Sequence, residues 1–323
     1  MLTYLLRRLL QGAILIVVLS YLCFYLMTLM PGDPVDMMIS SNPKITAEDV
    51  ERLRKLYGLD QPAYLRYSHW VKDILSGDLG YSRTYRVPVQ ELLAPRLLNT
   101  FILSITALCF SVLIAVPAGV FSALRPGSRF DHFINFISFA GISIPSFWLG
   151  IVCIILFAVW IPLFPAGGTL TIQDESTSFG FEVLDRLKYL VLPVLSLSLQ
   201  QIGRFARYTR SAMQDSLRHD YIRTATAKGL SQNRVVWVHG FRNALIPLIT
   251  VLALSMSSIF SGAIITETVF AYQGVGKLTY DSINSNDYNV AMISFIISVT
   301  MVLMMNFLAD ILYGVADPRI RYV

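Results

Sequence analysis

The residue types that could do chemistry are few and scattered in this chain of 323 residues. Its four histidines, His69, His132, His219 and His239, have no second ligand at i+3 or i+4, so no metal site is read from them. Cys23, Cys109 and Cys153 lie inside apolar runs, and an odd count so placed reads as buried thiols, not as a disulfide framework. No G-x-S-x-G nucleophile elbow occurs. Gly274-Val275-Gly276-Lys277 lacks the first glycine of a phosphate loop and the hydroxyl after its lysine, so ATP is not expected to bind this chain in that way. What remains is one basic, amphipathic stretch, Asp220 to Pro247. Asp220 can cap a short helix and Gly229 can end it in the left-handed conformation, which leaves about 12 Å of helix over Tyr221–Lys228. Such a stub is marginal in water by itself. Tyr221, Ala225 and Gly229 share a face, and two of them are small, so another surface could approach closely. The alternative is an amphipathic helix at the lipid boundary with its basic residues on headgroups. Ser231 offers the cap of a second helix running toward Leu245.

The elements that must position this stretch are apolar. The chain is 54% hydrophobic and 15% charged, against about 25% charged in soluble domains, which reads as an integral membrane protein. The net charge of +5 borders apolar runs and forms no soluble patch, which argues against nucleic acid as a partner. Runs at Leu9–Leu29, Asn99–Ala123, Phe133–Ile161, Tyr189–Phe205, Leu245–Thr266 and Val290–Tyr313 can each cross a hydrocarbon core of ~30 Å. The first exceeds the ~7–15 residues of a signal peptide's apolar region and lacks a small-x-small cleavage site, so a retained span is expected. The fourth carries Ser196, Ser198, Gln200 and Gln201 and should be buried against other helices.

Arg7, Arg8, Arg125, Arg129, Arg204, Arg207, Arg210, Arg218, Arg223, Lys228, Arg234, Arg242, Arg319 and Arg321 fall on one set of alternate segments, while the short loops opposite hold only Arg186, Lys188 and Lys277. The positive-inside rule then places both termini in the cytoplasm. The expected architecture is all-α: six transmembrane helices, a long extracytoplasmic loop after the first span and a cytoplasmic loop between spans four and five. Residues 1–30 form the first span, 31–98 the outer subdomain, and 99–323 a five-helix core with its loop at 211–245.

The outer segment is rich enough in apolar and capping residues for short helices. Thr46 and Asp49 fit a helix start. Tyr64, Tyr67, His69, Trp70, Ile74 and Leu75 form an aromatic run ended by Gly77-Asp78-Leu79-Gly80, read either as interfacial anchoring or as a docking surface for an outer partner through Tyr67, Trp70, Asp78 and Tyr81. In Ser143-Ile144-Pro145-Ser146-Phe147-Trp148 the proline frees a carbonyl; a packing kink and a break lining a pathway are both open. Leu254, Ser257, Ser258 and Ser261 share a helical face, which means close packing or a wet cavity. With Ser143, Ser146 and Gln200 these serines are the candidate pathway lining. Glu267, near a span end, is expected to be solvated or hydrogen-bonded and not buried. The spans hold almost no ionisable groups, so transport would draw its energy from elsewhere.

D-Y-I-R-T-A-T-A-K-G-L at Asp220–Leu230 resembles the coupling loop of bacterial ABC importer permeases, in the variant of the oligopeptide/dipeptide/nickel permease family. Aligned on Gly229, Arg223, Thr224 and Ala225 stand at the first three positions of the general E-A-A-x-x-x-G signature. The resemblance extends to Arg7-Arg8, P-G-D-P at Pro31–Pro34, Y-G-L-D at Tyr57–Asp60, G-D-L-G-Y-S at Gly77–Ser82, S-I-P-S-F-W at Ser143–Trp148, R-N-A-L-I-P at Arg242–Pro247, E-T-V-F and G-V-G-K-L within Glu267–Leu278, and D-P-R at Asp317–Arg319. It implies the first of two permease subunits in the inner membrane. Its partners would be a second, homologous permease subunit, two cytoplasmic ATPase subunits and an extracytoplasmic substrate-binding protein, with membrane lipid around it. ATP and Mg would be bound by the ATPases, leaving this chain without cofactor or enzymatic activity. Tyr221, Arg223, Ala225, Ala227, Gly229 and Leu230 would form the coupling contact. The implied cargo is short peptides; nickel chelates or glutathione-like solutes are alternatives within the family, and a self-sufficient channel or secondary carrier is the alternative of another class.

Overall fold

The structure is a computed structural model that describes residues 2–29, 46–56, 58–171 and 179–316. Pro31–Pro34, Tyr57 and Asp317–Arg319 of the motifs above lie outside the described residues. Among the described residues the architecture is helical, with no strand beyond an isolated bridge between Tyr81 and Pro88. The helices are α1 (Leu2–Leu29), α2 (Ala47–Leu56), α3 (Ala63–Leu75), α4 (Val89–Leu124), α5 (Arg129–Ser143), α6 (Ser146–Ile154), α7 (Phe179–Arg218), α8 (Asp220–Ala227), α9 (Arg242–Val269), α10 (Val275–Asn284) and α11 (Tyr288–Ala316). Wide π-helical coils extend α6 over Ile155–Trp160 and lead into α9 over Val235–Phe241.

Local chemistry explains many of the boundaries. Thr46 and Asp49 close a reciprocal capping box at the start of α2, with Thr46 Oγ1 donating to Asp49 at 2.7 Å and the Asp49 amide returning to Thr46 Oγ1 at 3.3 Å. The Thr46 hydroxyl, with the Thr46 amide at 3.1 Å, holds the Asp49 carboxyl below the usual carboxylate range. Helices α3, α4 and α6 each begin directly after a proline, Pro62, Pro88 and Pro145, whose fixed φ suits a helix start.

Contacts fix the helix directions. Helices α4 and α7 run parallel: Ser111 Oγ lies 3.4 Å from the Ser198 carbonyl, and further along Gly119 sits against Ala206 and Thr209. Helix α5 runs antiparallel to α7, with Gly141 against Leu199, Ser138 against Gly203 and Asp131 on Arg210. Helix α9 opposes α4, joining Ala244 to Val120 and Met213 at one end and Glu267 to Thr100 at the other. Helix α11 opposes α1, where Arg8 meets Asp310 at 3.2 Å. The lower end of the bundle carries α8 and the Arg8–Asp310 pair; the upper end carries α3 and α10.

Among the described residues, four helical segments are long and apolar enough to cross a membrane: Leu6–Leu29, Val89–Leu124, Gln232–Ala253 and Tyr288–Leu312. The third apolar run is not continuous helix. It is a pair, Arg129–Ser143 and Ser146–Trp160, bent by 105°. Helix α7 does not meet that apolar standard. At 40 residues it is about 60 Å long, extending well past both ends of the expected span, and Ser196, Ser198 and Gln201 along it are buried.

Small residues allow these helices to touch at the backbone. A Cβ on Gly203 would lie 2.8 Å from the Ser138 carbonyl oxygen, and one on Gly119 would lie 2.7 Å from that of Ala206. Backbone cannot yield as a side-chain tip can. Gly203→Val is therefore expected to destabilise the purified protein by ~1–3 kcal/mol, read as a lowered thermal midpoint in detergent. Gly12→Ala, with nothing within 4 Å of the added carbon, should leave the midpoint unchanged.

Candidate functional site

Helix α7 ends at Arg218, and the two-turn α8 follows at once. His219 occupies the N-cap and Asp220 is the first helical residue, so the helix starts one place earlier than the sequence suggested and Asp220 complements the helix dipole from the first turn. The other end forms a Schellman motif: the Leu230 amide donates to the Ala225 carbonyl at 3.4 Å and the Gly229 amide to the Thr226 carbonyl at 2.9 Å, with Gly229 at φ +77°. Only glycine holds that conformation without a Cβ penalty.

Side chains pin the stub to its surroundings. Ile222 and Ala225 pack with Val235, flanked by Leu217 and Leu230. Tyr221 stacks on His219, and its hydroxyl lies 2.7 Å from Ser216 Oγ, which bonds the Gly240 carbonyl at 2.7 Å. The end of α7, the stub and the π-helical coil thus form one unit. Of the six candidate coupling residues, Ala225 and Leu230 turn inward and build this anchor, and Tyr221 fastens it while staying partly exposed. Arg223, Ala227 and Gly229 face outward with Thr224 and Lys228. Arg223 lies 3.7 Å from Asp220, both fully solvated, a pair of little energetic worth. Of the residues expected to share a face, only Ala225 is buried, while Gly229 and part of Tyr221 reach solvent.

Above the stub, Arg210 grips Asp131 with both arms of its guanidinium, at 2.6 and 2.8 Å. Asp131 is buried and also accepts from Ser122, the Gly127 amide and Asn135. This cluster locks the α4–α5 turn to α7, and the sequence reading missed it. Its only local signal is Ser128 three residues before Asp131, a helix cap that accepts the Asp131 amide at 3.2 Å.

At the bend between α5 and α6, Gln200 Nε2 donates to the Ile144 carbonyl at 2.7 Å and Ser196 Oγ to the Ser146 carbonyl at 3.3 Å. Two backbone carbonyls at the bend are thus met by side chains of α7. Ser143 is exposed and Ser146 half-buried. Three of the candidate pathway residues thus gather at one break. Ser257, Ser258 and Ser261 lie on the α9 backbone, but their side chains fall outside the described residues.

At the upper end Tyr67 and Trp70 point into the fold. The Tyr67 hydroxyl is 2.7 Å from Ser20 Oγ, its ring meets Tyr21 and Phe24 edge-on, and Trp70 leans on Phe24. Asp78 and Tyr81 remain exposed; Asp78 caps the Gly80 amide at 2.8 Å. Glu267 overturns its expectation: it is fully buried, accepting Thr100 Oγ1 at 2.6 Å and the backbone amides of Gly276 and Lys277. It caps the N-terminus of α10, while Thr100 Oγ1 takes the Val275 amide at 2.9 Å. Asp287 similarly holds the outer segment, accepting Ser82 Oγ at 2.6 Å and the Thr84 amide at 3.1 Å.

These features define a helical membrane protein that presents an anchored two-turn helix at one end of a long, buried helix. The chain belongs to the family of binding-protein-dependent transport system inner membrane components, which it matches over residues 115–322, with the N-terminal portion of such components matched over residues 1–104. It is 41% identical over 323 residues to the oligopeptide transport system permease protein AppB of Bacillus subtilis (strain 168), covering 100% of both chains. It is 40% identical over 319 residues to the di/tripeptide transport system permease protein DppB of Pseudomonas aeruginosa (strain UCBPP-PA14), covering 94% of each. The dipeptide transport system permease protein DppB of Escherichia coli (strain K12) is 35% identical over 338 residues, covering 100% of this chain and 99% of that one. A chain of the MetNI methionine ABC transporter, solved in inward-facing conformations, shares the fold at a TM-score of 0.57 and 17% identity, over 71% of this chain and 97% of that chain.

Replacing Glu267 tests its capping role. Glu267→Ala leaves buried donors without an acceptor, each costing ~1–3 kcal/mol, and should lower the thermal midpoint more than Glu267→Gln, which keeps a carbonyl oxygen in place.

Proposed function

We propose that this chain is the first of two permease subunits of an ATP-driven importer of short peptides, forming half of the translocation path and driven through α8. The observation that carries this reading is the anchored stub, whose outward face is free to enter a groove on another protein while its inward face is fastened to α7. The names of the full-length relatives supply the peptide cargo.

In this reading the membrane is crossed six times, counting the bent pair and α7, with both termini in the cytoplasm. The Arg8–Asp310 contact, which joins the first helix's start to the last helix's end, supports an even number of crossings. Two ATPase subunits bind ATP and Mg and close on α8, and the chain itself catalyses nothing. Because α8 and α7 are joined through Ile222, Ala225 and Tyr221, the displacement becomes a rocking of α7 with α4 and α5, an alternating-access motion. The break at Ser143–Ser146, tied to Gln200, lies where a path between helices would need polar backbone. A substrate-binding protein docks on the outer surface; with Tyr67 and Trp70 committed to α1, its contacts fall to Asp78, Tyr81 and their exposed neighbours.

Ala227→Trp is the direct test, because Ala227 faces outward and supports no packing of its own chain. The assembled importer should keep this subunit in the membrane yet lose at least about tenfold in peptide uptake, equivalent to ~1.4 kcal/mol of coupling. Undiminished uptake would remove the coupling role. Gly229→Asp should act in the same direction by forcing an aspartate into the left-handed position. For the path, cysteines at positions 143 and 146 should react with a water-soluble thiol reagent during turnover; inert thiols at both would reject it.

A further inference from the structure

A groove between α5 and α7 is left unused by the function proposed above. It has a volume of about 530 Å³ and is lined by Asn135, Phe139 and Ile142 from α5 and by Arg204, Arg207 and Tyr208 from α7. Arg210, at its lower edge, is committed to Asp131. Arg204 and Arg207 are exposed and meet no carboxylate among the described residues; the Arg207 guanidinium rests 4.7 Å over the Phe139 ring. The groove therefore offers two guanidinium groups without a counter-charge beside an apolar wall.

Depth narrows the occupant. A hydrocarbon core of ~30 Å corresponds to about 20 residues of helix. Counted from Tyr189, where the apolar part of α7 begins behind Arg186 and Lys188, that length ends near Thr209. Arg204 and Arg207 thus stand within about a turn and a half of the lower boundary, where long side chains reach headgroup level. An uncompensated charge deeper in hydrocarbon would be costly. Along α5, Phe133, Phe136 and Phe139 are more than half exposed and form a row suited to acyl chains.

We propose that this groove holds one anionic phospholipid of the cytoplasmic leaflet, its phosphodiester on Arg204 and Arg207 and an acyl chain along Phe139 and Ile142. The guanidinium fork matches phosphate oxygens in pairs, and basic pockets between membrane helices on the cytoplasmic side recognise anionic headgroups. The lipid would clamp α5 to α7 on the same flank as the Asp131–Arg210 pair. The assignment to that leaflet rests on the orientation proposed above, and sided thiol labelling of the lower end checks it separately from lipid binding.

The test uses the assembled importer in nanodiscs of mixed phosphatidylglycerol and phosphatidylcholine, with lipid retained on extraction counted by native mass spectrometry. The wild type should retain phosphatidylglycerol preferentially. Arg204→Gln and Arg207→Gln should each lower that retention about fivefold and the double glutamine variant should lower it further, while Arg204→Lys with Arg207→Lys, which keeps the charge but not the fork, should retain more than the double glutamine variant. If the double glutamine variant does not assemble, Arg207→Gln alone carries the same comparison. Equal retention by wild type and variant overturns the proposal. So does displacement of the lipid by millimolar inorganic phosphate, which would mark a free-anion site, and so does efficient cross-linking of a cysteine at Ser211 to the second permease subunit, which would mark a subunit interface.

Discussion

A helix can run the length of this bundle with serines and glutamines along it only because none of those groups has to meet lipid. Unsatisfied polar groups in hydrocarbon cost several kcal/mol each, so α7 must be enclosed. Helices α4, α5, α6 and α9 enclose it, burying Ser196, Ser198 and Gln201. The enclosure needs glycines at the crossings, since Gly119, Gly141 and Gly203 meet backbone atoms of the neighbouring helix. The polar residues are then free to act inside the protein, and Gln200 and Ser196 do so by closing the gap in hydrogen bonding at the α5–α6 bend.

The proposed coupling would use α7 as its lever. Its lower end is continuous with the anchored stub, and two turns higher it grips Asp131 through Arg210. Higher still it holds the break in α5–α6. In the proposed function, a displacement applied to α8 would reach these neighbours through short polar contacts and backbone-to-backbone packing. The stub itself gains from the arrangement: two turns of helix are too few to persist alone, and packing on Val235 supplies what local propensity lacks.

The upper end is held by buried carboxylates. Glu267 unites α4, α9 and α10 by accepting a hydroxyl and two amides, and the glycines at 274 and 276 leave room for its oxygens. Asp287 joins the outer segment to the start of α11. Both ends of the bundle thus use the same device, a buried acid collecting hydrogen bonds from several elements, with a bidentate arginine at the lower end and backbone amides at a helix start at the upper.

Apolar runs, prolines, caps and the basic bias of alternate segments are local properties, and the sequence alone was enough for the helical membrane character, the family resemblance and the stub with its left-handed Gly229. Thr46 with Asp49 could be read as a cap for the same reason: a cap bonds within its own three or four residues. Tertiary structure decided what depends on neighbours distant in sequence. Only it turned Ala225, Tyr67 and Trp70 inward, bent the third run by 105° where the proline had left a kink and a break both open, and buried Glu267 beneath Thr100, 167 residues away. The orientation of a side chain and the partner of a carboxylate are set by whichever surface packs against them, and in a helical bundle that surface comes from a remote part of the chain.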